Sequence, residues 1–282
     1  MVNNYRGVDD TVLYSKVVNK MREFFLAKGY VEVHTQDRLS ILAACEDPST
    51  IATFDYAKEN WPLPQTGQMW LEYELLTKPE LPGVFCVSTS YRNEPNPIPG
   101  RHKILFPMFE FESKGTIDDL RFLEEELLMH LGFGHPANFV HKSYDSLSAH
   151  YGVSDLSSAE ENNMKIDFGN VVFLERFPQH TSPFWNMKKE GNYANKIDVI
   201  MNGQETIGSA ERSTNPEEMR ELFHTISDGG YAKILYDKFG KERVEKELEE
   251  FLSLPFFPRF GGGIGMTRMM SAVAARTLVP QM

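Results

Sequence analysis

A cluster of charged and aromatic side chains lies within residues 84 to 112, between two apolar runs typical of strands. It contains an Arg-x-Glu pair, three prolines, an Arg-His pair and an aromatic residue; the named side chains are Arg92, Glu94, Arg101, His102 and Phe106. A guanidinium group offers a fork of donors to phosphate oxygens, and an aromatic ring can stack on a base. The pattern therefore predicts a wide hairpin that binds a polyanion such as a triphosphate. An isolated Arg-Glu pair would indicate only a solvated loop.

A second hairpin is predicted where Asn202-Gly203 separates two apolar runs, because both turn residues must accept a positive φ. A two-residue turn pairs Ile200 with Glu205, and side chains alternate along a strand. Asp198 and Glu205 then share one face as diagonal neighbours, roughly 7 Å or less apart. Mg²⁺ binds one or two carboxylates together with substrate phosphates. The alternative is a pair of acids on a solvent-exposed sheet face.

Residues 65 to 72, with the sequence QTGQMWLE, combine amides, a glycine and a carboxylate. Gln65, Gln68 and Glu72 can surround the charged groups of a free amino acid, and Gly67 permits a turn between them. Periodicity alone would favour a simpler structure, in which a helix begins here and residues 69 to 71 pack inward.

Periodic segments elsewhere predict the elements that hold these residues in place. Residues 10–28 and 117–131 have apolar side chains at helical spacing, and residues 216–253 indicate two further helices. Residues 30–35 alternate as a strand, and residues 171–174 form an apolar one. The first helix has an apolar stripe that consists of Leu13, Val17, Met21 and Phe24.

Two other segments are given no part in the chemistry of the site. The acidic run of residues 124–126 is interpreted as the solvated face of its helix. Residues 134–165 are polar and are interpreted as an insertion between the two halves of the site.

Composition excludes several classes of protein. The chain has 282 residues and a net charge of −11, which argues against a general nucleic-acid binder. Its two cysteines, Cys45 and Cys86, lack metal-ligand spacing, which excludes a disulfide framework and fits a reducing cytosol. No apolar run is long enough to span a membrane, and no signal peptide is evident. The length fits one large domain or two small ones, and we expect a cytoplasmic protein.

Three segments, in this order, resemble the signature motifs of class II aminoacyl-tRNA synthetases. The helix followed by Gly-Tyr-Val-Glu-Val at residues 29–33 is similar to the first motif, which builds the dimer interface, although Gln36 replaces its usual proline. The hairpin of residues 84–112 resembles the second motif, which binds ATP. Residues 261–268, GGGIGMTR, resemble the third, whose arginine is Arg268 here. The resemblance implies a single catalytic domain over residues 1–282 with an α+β fold, in which helices flank an antiparallel β-sheet. It also implies a homodimer.

Further residues resemble the aspartyl and asparaginyl enzymes of that class. The stretch from Glu205 to Arg212 is similar to their Glu…Gly-x-x-Arg segment, residues 65–72 to a segment of asparaginyl enzymes, and residues 44–48 to their mobile loop. The implied ATP-binding residues are Arg92, Glu94, Arg101, His102, Phe106, Glu205 and Arg268, of which Arg92 and Arg268 are catalytic. The implied amino-acid-binding residues are Glu46, Gln68, Glu72, Ser209 and Arg212. The implied Mg²⁺ ligands are Asp198 and Glu205.

The resemblance implies adenylation of asparagine or aspartate with ATP and Mg²⁺, without an anticodon-binding domain. By this resemblance Gln68 contacts the α-amino group, Arg212 holds the side chain, and Glu72 faces a side-chain amide. Because a carboxylate accepts a hydrogen bond from an amide but repels a second carboxylate, Glu72 favours asparagine. The acceptor stays open between tRNA and the ammonia of an asparagine synthetase. A third alternative is a non-catalytic paralogue with a binding or regulatory role.

Overall fold

A nine-stranded sheet forms the centre of the fold in a computed structural model that describes residues 7–35, 40, 48–95, 97 and 103–277. The strands are β1 (Val31–Glu32), β2 (Thr53–Tyr56), β3 (Glu59–Pro62), β4 (Gly83–Tyr91), β5 (Leu105–Lys114), β6 (Val140–Ser143), β7 (Val171–Pro178), β8 (Lys189–Glu190), β9 (Tyr193–Met201), β10 (Gln204–Glu211) and β11 (Arg259–Gly265). Their order is β1-β4-β5-β11-β10-β9-β7-β6, with β8 beside β9, while β2 and β3 pair separately. The pairs from β4 to β7 are antiparallel, and β1 and β6 add parallel edges.

Helices cover both sides of this sheet. They are α1 (Thr11–Ala27), α2 (Gln68–Thr77), α3 (Ile117–His130), α4 (Tyr144–Tyr151), α5 (Ser158–Asp167), α6 (Pro216–Thr225), α7 (Gly230–Phe239), α8 (Lys241–Leu252) and α9 (Met266–Thr277). One core joins α1, α3 and α9 to the sheet, and a second joins α2, α6, α7 and α8. Alternation along β10 divides its side chains between them, because Ile207 lies in the first core and Ala210 in the second. None of the helices in the described ranges is long and apolar enough to cross a bilayer.

Both predicted hairpins are confirmed. In the first, β4 and β5 are antiparallel, with Val84 opposite Glu112. In the second, Asn202 and Gly203 have φ values of 53° and 82°, and Glu205 lies opposite Ile200. A bulge between Glu205 and Ile207 was not predicted. It adds a residue to β10 and brings Gly208, rather than Ile207, opposite Asp198.

The apolar stripe of α1 belongs to the protomer's own core. Met21 is fully buried, and Val17 and Phe24 are at least nine-tenths buried. Phe25 beside them lies with its ring centroid 5.1 Å from that of Phe109 and 5.3 Å from that of Phe111. This stripe therefore holds the helix on the sheet and is not available to a second copy of the chain.

Two further predictions about the helices were wrong, and residues 134–165 contain more regular structure than their polar composition indicated. Glu124, interpreted as solvated, is fully buried where α3 meets the sheet. The polar stretch 134–165 is part of the fold, because it supplies β6, α4 and most of α5. Residues 216–253 form three helices instead of two. The prediction placed one break, at Gly229-Gly230, and missed a second break at Gly240.

Candidate active site

The loop ends of the first hairpin and the start of α9 enclose a cavity, here called the hairpin cavity. It contains about 780 Å³ of space, part of which is open solvent. Its wall includes the predicted residues Arg92, Glu94, Phe106, Glu205 and Arg268, with Lys103, Met108, Thr206, Gly263, Gly265 and Thr267. Arg101 and His102, also predicted here, lie outside the described residues. The structure thus brings together residues of β5, β10, β11, α9 and the loop between β4 and β5, which the sequence separates widely.

Two arginines, Arg92 and Arg268, belong to the wall of the hairpin cavity. The guanidinium carbon of Arg92 lies 5.6 Å from the centroid of the Phe106 ring, a cation–π distance. Arg268 opens α9 and donates from Nη1 to the backbone oxygen of Glu205 at 2.6 Å. Gly263 and Gly265 on β11 leave backbone exposed between these groups. Such a wall suits an elongated ligand with phosphate groups at one end and a flat ring at the other.

The predicted carboxylates, Asp198 and Glu205, meet above Gly208. A methyl group placed on Gly208 would lie 3.1 Å from Glu205 Oε1 and 3.5 Å from Asp198 Oδ1. Lys196, which sequence reasoning missed, places its ammonium 3.1 Å from Asp198 Oδ2 and 4.3 Å from the Phe177 ring centroid. The described residues contain no group of three potential metal ligands. Two carboxylates fit Mg²⁺ only if phosphates and water complete its shell.

A second cavity, here called the inner cavity, continues from the first. Its wall consists of Gln65, Thr66, Gln68, Arg92, Met108, Glu110, Phe184, Met187, Lys196, Glu205, Gly208, Ser209, Arg212 and Gly263. Arg92, Met108, Glu205 and Gly263 also line the hairpin cavity. The two cavities are therefore halves of one cleft. Charges of both signs in the inner half suit a small zwitterion.

Glu110, which sequence reasoning missed, anchors the loop before α2. Its Oε2 accepts from the backbone N–H of Gly67 at 2.9 Å and from the hydroxyl of Ser88 at 2.6 Å. The hydroxyl of Thr66 donates to Oε1. Gly67 has no room for a side chain, because a methyl group there would lie 2.9 Å from Thr35. Glu110 therefore fixes the segment that presents Gln68 to the inner cavity.

Four buried charged residues lie in the wall of the inner cavity or behind it; we call them the charge cluster. They are Glu72, Glu112, Arg212 and Arg259, all at least 98% buried. Arg259 donates from Nε and Nη2 to Glu72 Oε2 at 3.1 and 2.6 Å. Arg212 donates from Nε and Nη2 to the two oxygens of Glu112 at 3.1 and 3.3 Å. Burial raises the pKa of Glu112 to about 7, opposed by Arg212 and reinforced by Glu72.

The predicted amino-acid contacts differ in where the structure places them. Gln68, Ser209 and Arg212 line the inner cavity. The hydroxyl of Ser209 donates to the backbone oxygen of Ile197 at 3.0 Å. Glu72 is not part of the wall; it lies behind Gln68, whose Nε2 donates to its Oε1 at 3.1 Å. Glu46 lies outside the described residues.

Arg259 gave only a weak signal in the sequence. It is 187 positions from Glu72, and no local pattern joins the two residues. A charged residue at the start of an otherwise apolar and glycine-rich strand was the one available clue, since an unpaired charge is rarely buried there.

The family model for class II tRNA synthetases (D, K and N) matches residues 10–280. The chain is 24% identical to the cytoplasmic aspartate–tRNA ligase of Rattus norvegicus, over 91% of this chain and 56% of that protein. It is also 24% identical to an elongation factor P–(R)-β-lysine ligase homologue of Aquifex aeolicus (strain VF5), over 72% of this chain and 78% of that protein.

A solved structure gives a similar fold. Asparaginyl-tRNA synthetase from Pyrococcus horikoshii, complexed with asparaginyl-adenylate, superposes with a TM-score of 0.75 and 21% identity. The match covers 93% of this chain and 64% of that one. The chain thus spans a little over half the length of the aspartate ligases that it matches.

Proposed function

The chain belongs to the class II tRNA synthetases of the aspartate, lysine and asparagine group, and from that premise we propose that it adenylates aspartate or asparagine. In this reaction a carboxylate oxygen of the amino acid attacks the α-phosphorus of ATP. The bond to the β-phosphate oxygen breaks, and pyrophosphate leaves with that electron pair. The supporting observation is the shared wall of Arg92 and Glu205, which borders both halves of the cleft.

Each half of the cleft supplies one reactant. In the hairpin cavity, Phe106 stacks on adenine while Arg92 and Arg268 bind phosphate oxygens. In the inner cavity, Gln68 binds the α-amino group and Arg212 the side chain. The chemistry consists mainly of positioning and charge stabilisation, so no covalent nucleophile on the protein is needed.

Asp198 and Glu205 would hold Mg²⁺ against the phosphates. The bound ion would neutralise charge on the phosphate oxygens. Lys196 beside Asp198 neutralises part of that carboxylate's charge, so the pair does not repel phosphate before the ion binds.

The adenylate then passes to an acceptor. A tRNA is the acceptor of the synthetases in this family, whereas attack by ammonia on aspartyl adenylate would give asparagine and release AMP. The name of the Aquifex relative adds a protein as a third class to test. With wild-type protein, charging of tRNA and formation of free asparagine from aspartate and ammonia distinguish the first two.

We also propose a cytosolic homodimer. The buried stripe of α1 cannot form its interface, but the opposite side of the helix exposes Val12 and Leu26, and β1 exposes Val31. Val12 and Leu26 lie within about 40° of each other around the helix. An edge strand flanked by apolar side chains is a natural pairing surface.

Amino-acid-dependent exchange of pyrophosphate into ATP tests the proposal, with aspartate, asparagine and lysine as substrates. We expect exchange with aspartate or asparagine, and a loss of about 100-fold or more in Arg92→Gln and Glu205→Gln. Glu250→Gln, on the exposed side of α8, is the control for loss of a charge. Exchange with none of the three amino acids would refute adenylation and favour the non-catalytic paralogue.

A further inference from the structure

We propose that Arg259 is a specificity-determining residue: by pairing with Glu72 it removes that carboxylate from substrate recognition, so that the inner cavity admits aspartate as well as asparagine. This inference rests on the proposed adenylation. It concerns a positioning residue, because Arg259 lies behind the cavity and acts through Glu72.

The hydrogen bonds of Glu72 carry the first step of the argument. An ionised carboxylate offers about four acceptor sites. Gln68 and Asn186 donate to Oε1 at 3.1 and 2.6 Å, and two nitrogens of Arg259 donate to Oε2. All four sites are thus filled by the protein's own donors. A substrate amide could bond to Glu72 only by displacing one of them.

The charge of Glu72 carries the second step. Arg259 donates from Nε and Nη2 to the same oxygen, Oε2, in a fully buried position, where water screens the attraction between opposite charges least. Arg259 is itself held by the backbone oxygen of Ser213 at 3.0 Å and by the Phe256 ring at 4.9 Å. The positive charge of Arg259 therefore cancels the repulsion that Glu72 would exert on a substrate carboxylate.

Arg212 then remains the charged group of the cluster that borders the inner cavity. Two of its nitrogens bind Glu112, and its Nη1 takes no part in those bonds. A side-chain oxygen of aspartate or of asparagine can accept from this nitrogen. The substrate class that follows is a four-carbon amino acid with an oxygen at the end of its side chain, charged or neutral.

The test compares kcat/KM for aspartate and asparagine in pyrophosphate exchange. We expect the wild-type ratio to lie within tenfold of unity. Arg259→Gln exposes the charge of Glu72, so the aspartate-to-asparagine ratio should fall at least tenfold. The double variant Glu72→Gln with Arg259→Gln removes both charges and should return the ratio to within threefold of wild type. Arg220→Gln, which loses an exposed pair with Glu249, is the matched control.

Two results would overturn the inference while leaving adenylation intact. One is a wild-type protein that uses asparagine and rejects aspartate more than 100-fold. The other is an equal loss with both amino acids in Arg259→Gln that the double variant does not reverse. Exchange with neither amino acid would instead refute the proposed function.

A third variant keeps the test valid if Arg259→Gln does not fold. Glu72→Gln leaves the charge of Arg259 without its partner and should raise the ratio at least threefold toward aspartate. The double variant should then reverse that rise. An unchanged ratio in Glu72→Gln would count against the inference.

Discussion

Glu124 on α3 is predicted to make the protein less stable as the pH rises through neutrality. Its side chain is fully buried, and neither oxygen has a hydrogen-bond partner within the described residues. Burial raises the pKa of Glu124 from 4.5 to about 8; the nearby hydroxyl of Ser209 opposes the rise and the charge of Asp198 adds to it. The folded protein therefore holds a neutral carboxylic acid at pH 7.

The sign and size of the effect follow from proton binding. Between pH 4.5 and pH 8 the folded state keeps a proton that the unfolded state has lost. The free energy of unfolding therefore falls as pH rises, by up to about 1.4 kcal/mol per pH unit. From pH 5 to pH 8 the loss from Glu124 amounts to roughly 3.5 kcal/mol. The contribution is fully present only below pH 4.5.

Glu124→Gln keeps the shape of the side chain and cannot ionise. Urea unfolding at pH 5, 6, 7 and 8 should give a wild-type stability that falls more steeply than that of the variant, with the largest gap at pH 8. Glu126→Gln, a partly exposed residue of the same helix that pairs with Lys28, is the control for loss of a charge. Parallel curves for wild type and Glu124→Gln would refute the assignment of a neutral acid.

Three further outcomes are expected from the geometry. Glu110→Ala removes the acceptor of three donors in the loop before α2 and should raise KM for the amino acid at least tenfold, with a smaller change in KM for ATP. Equal changes in both would contradict its role in fixing that loop. Gly261→Ala should yield no folded protein, because the added carbon would lie 1.7 Å from an oxygen of Glu112. Gly230→Ala, with 3.8 Å to its nearest neighbour and a helical φ of −63°, is its tolerated control. Sedimentation at micromolar concentration should show a dimer that Val31→Asp converts to a monomer, and a monomeric wild-type protein would exclude the dimer.

Short-range patterns predicted the elements well because their physics is local. The turn at Asn202-Gly203 fixes its own register through backbone angles that few residues adopt. The bulge two residues later had no such signal, since it depends on how β10 meets its neighbours. The sequence thus predicted that Asp198 and Glu205 share one face. It did not predict that Gly208 lies between them.

Charged side chains were the least predictable part. The run of residues 124–126 resembles a solvated face, yet Glu124 follows Leu120 by four positions and so shares its inward face. Periodicity contained that signal, but the usual exposure of glutamate argued against it. For Glu72 the limit was different. Its partner Arg259 lies 187 positions away in the sequence, and a single sequence carries no information about contacts between residues so far apart.

The wall shared by the two cavities restricts how this site can change through evolution. Under the proposed function, a substitution at one of the four shared positions would alter nucleotide and amino-acid binding together; these positions are Arg92, Met108, Glu205 and Gly263. Side chains that border only the inner cavity, or lie behind it, can change without an effect on nucleotide binding. A descendant that keeps its nucleotide but adopts another amino acid is therefore expected to differ first around Arg212. Compensating pairs behind that wall, such as Glu72 with Arg259, would have to change together, so intermediate sequences with one unmatched buried charge should be rare.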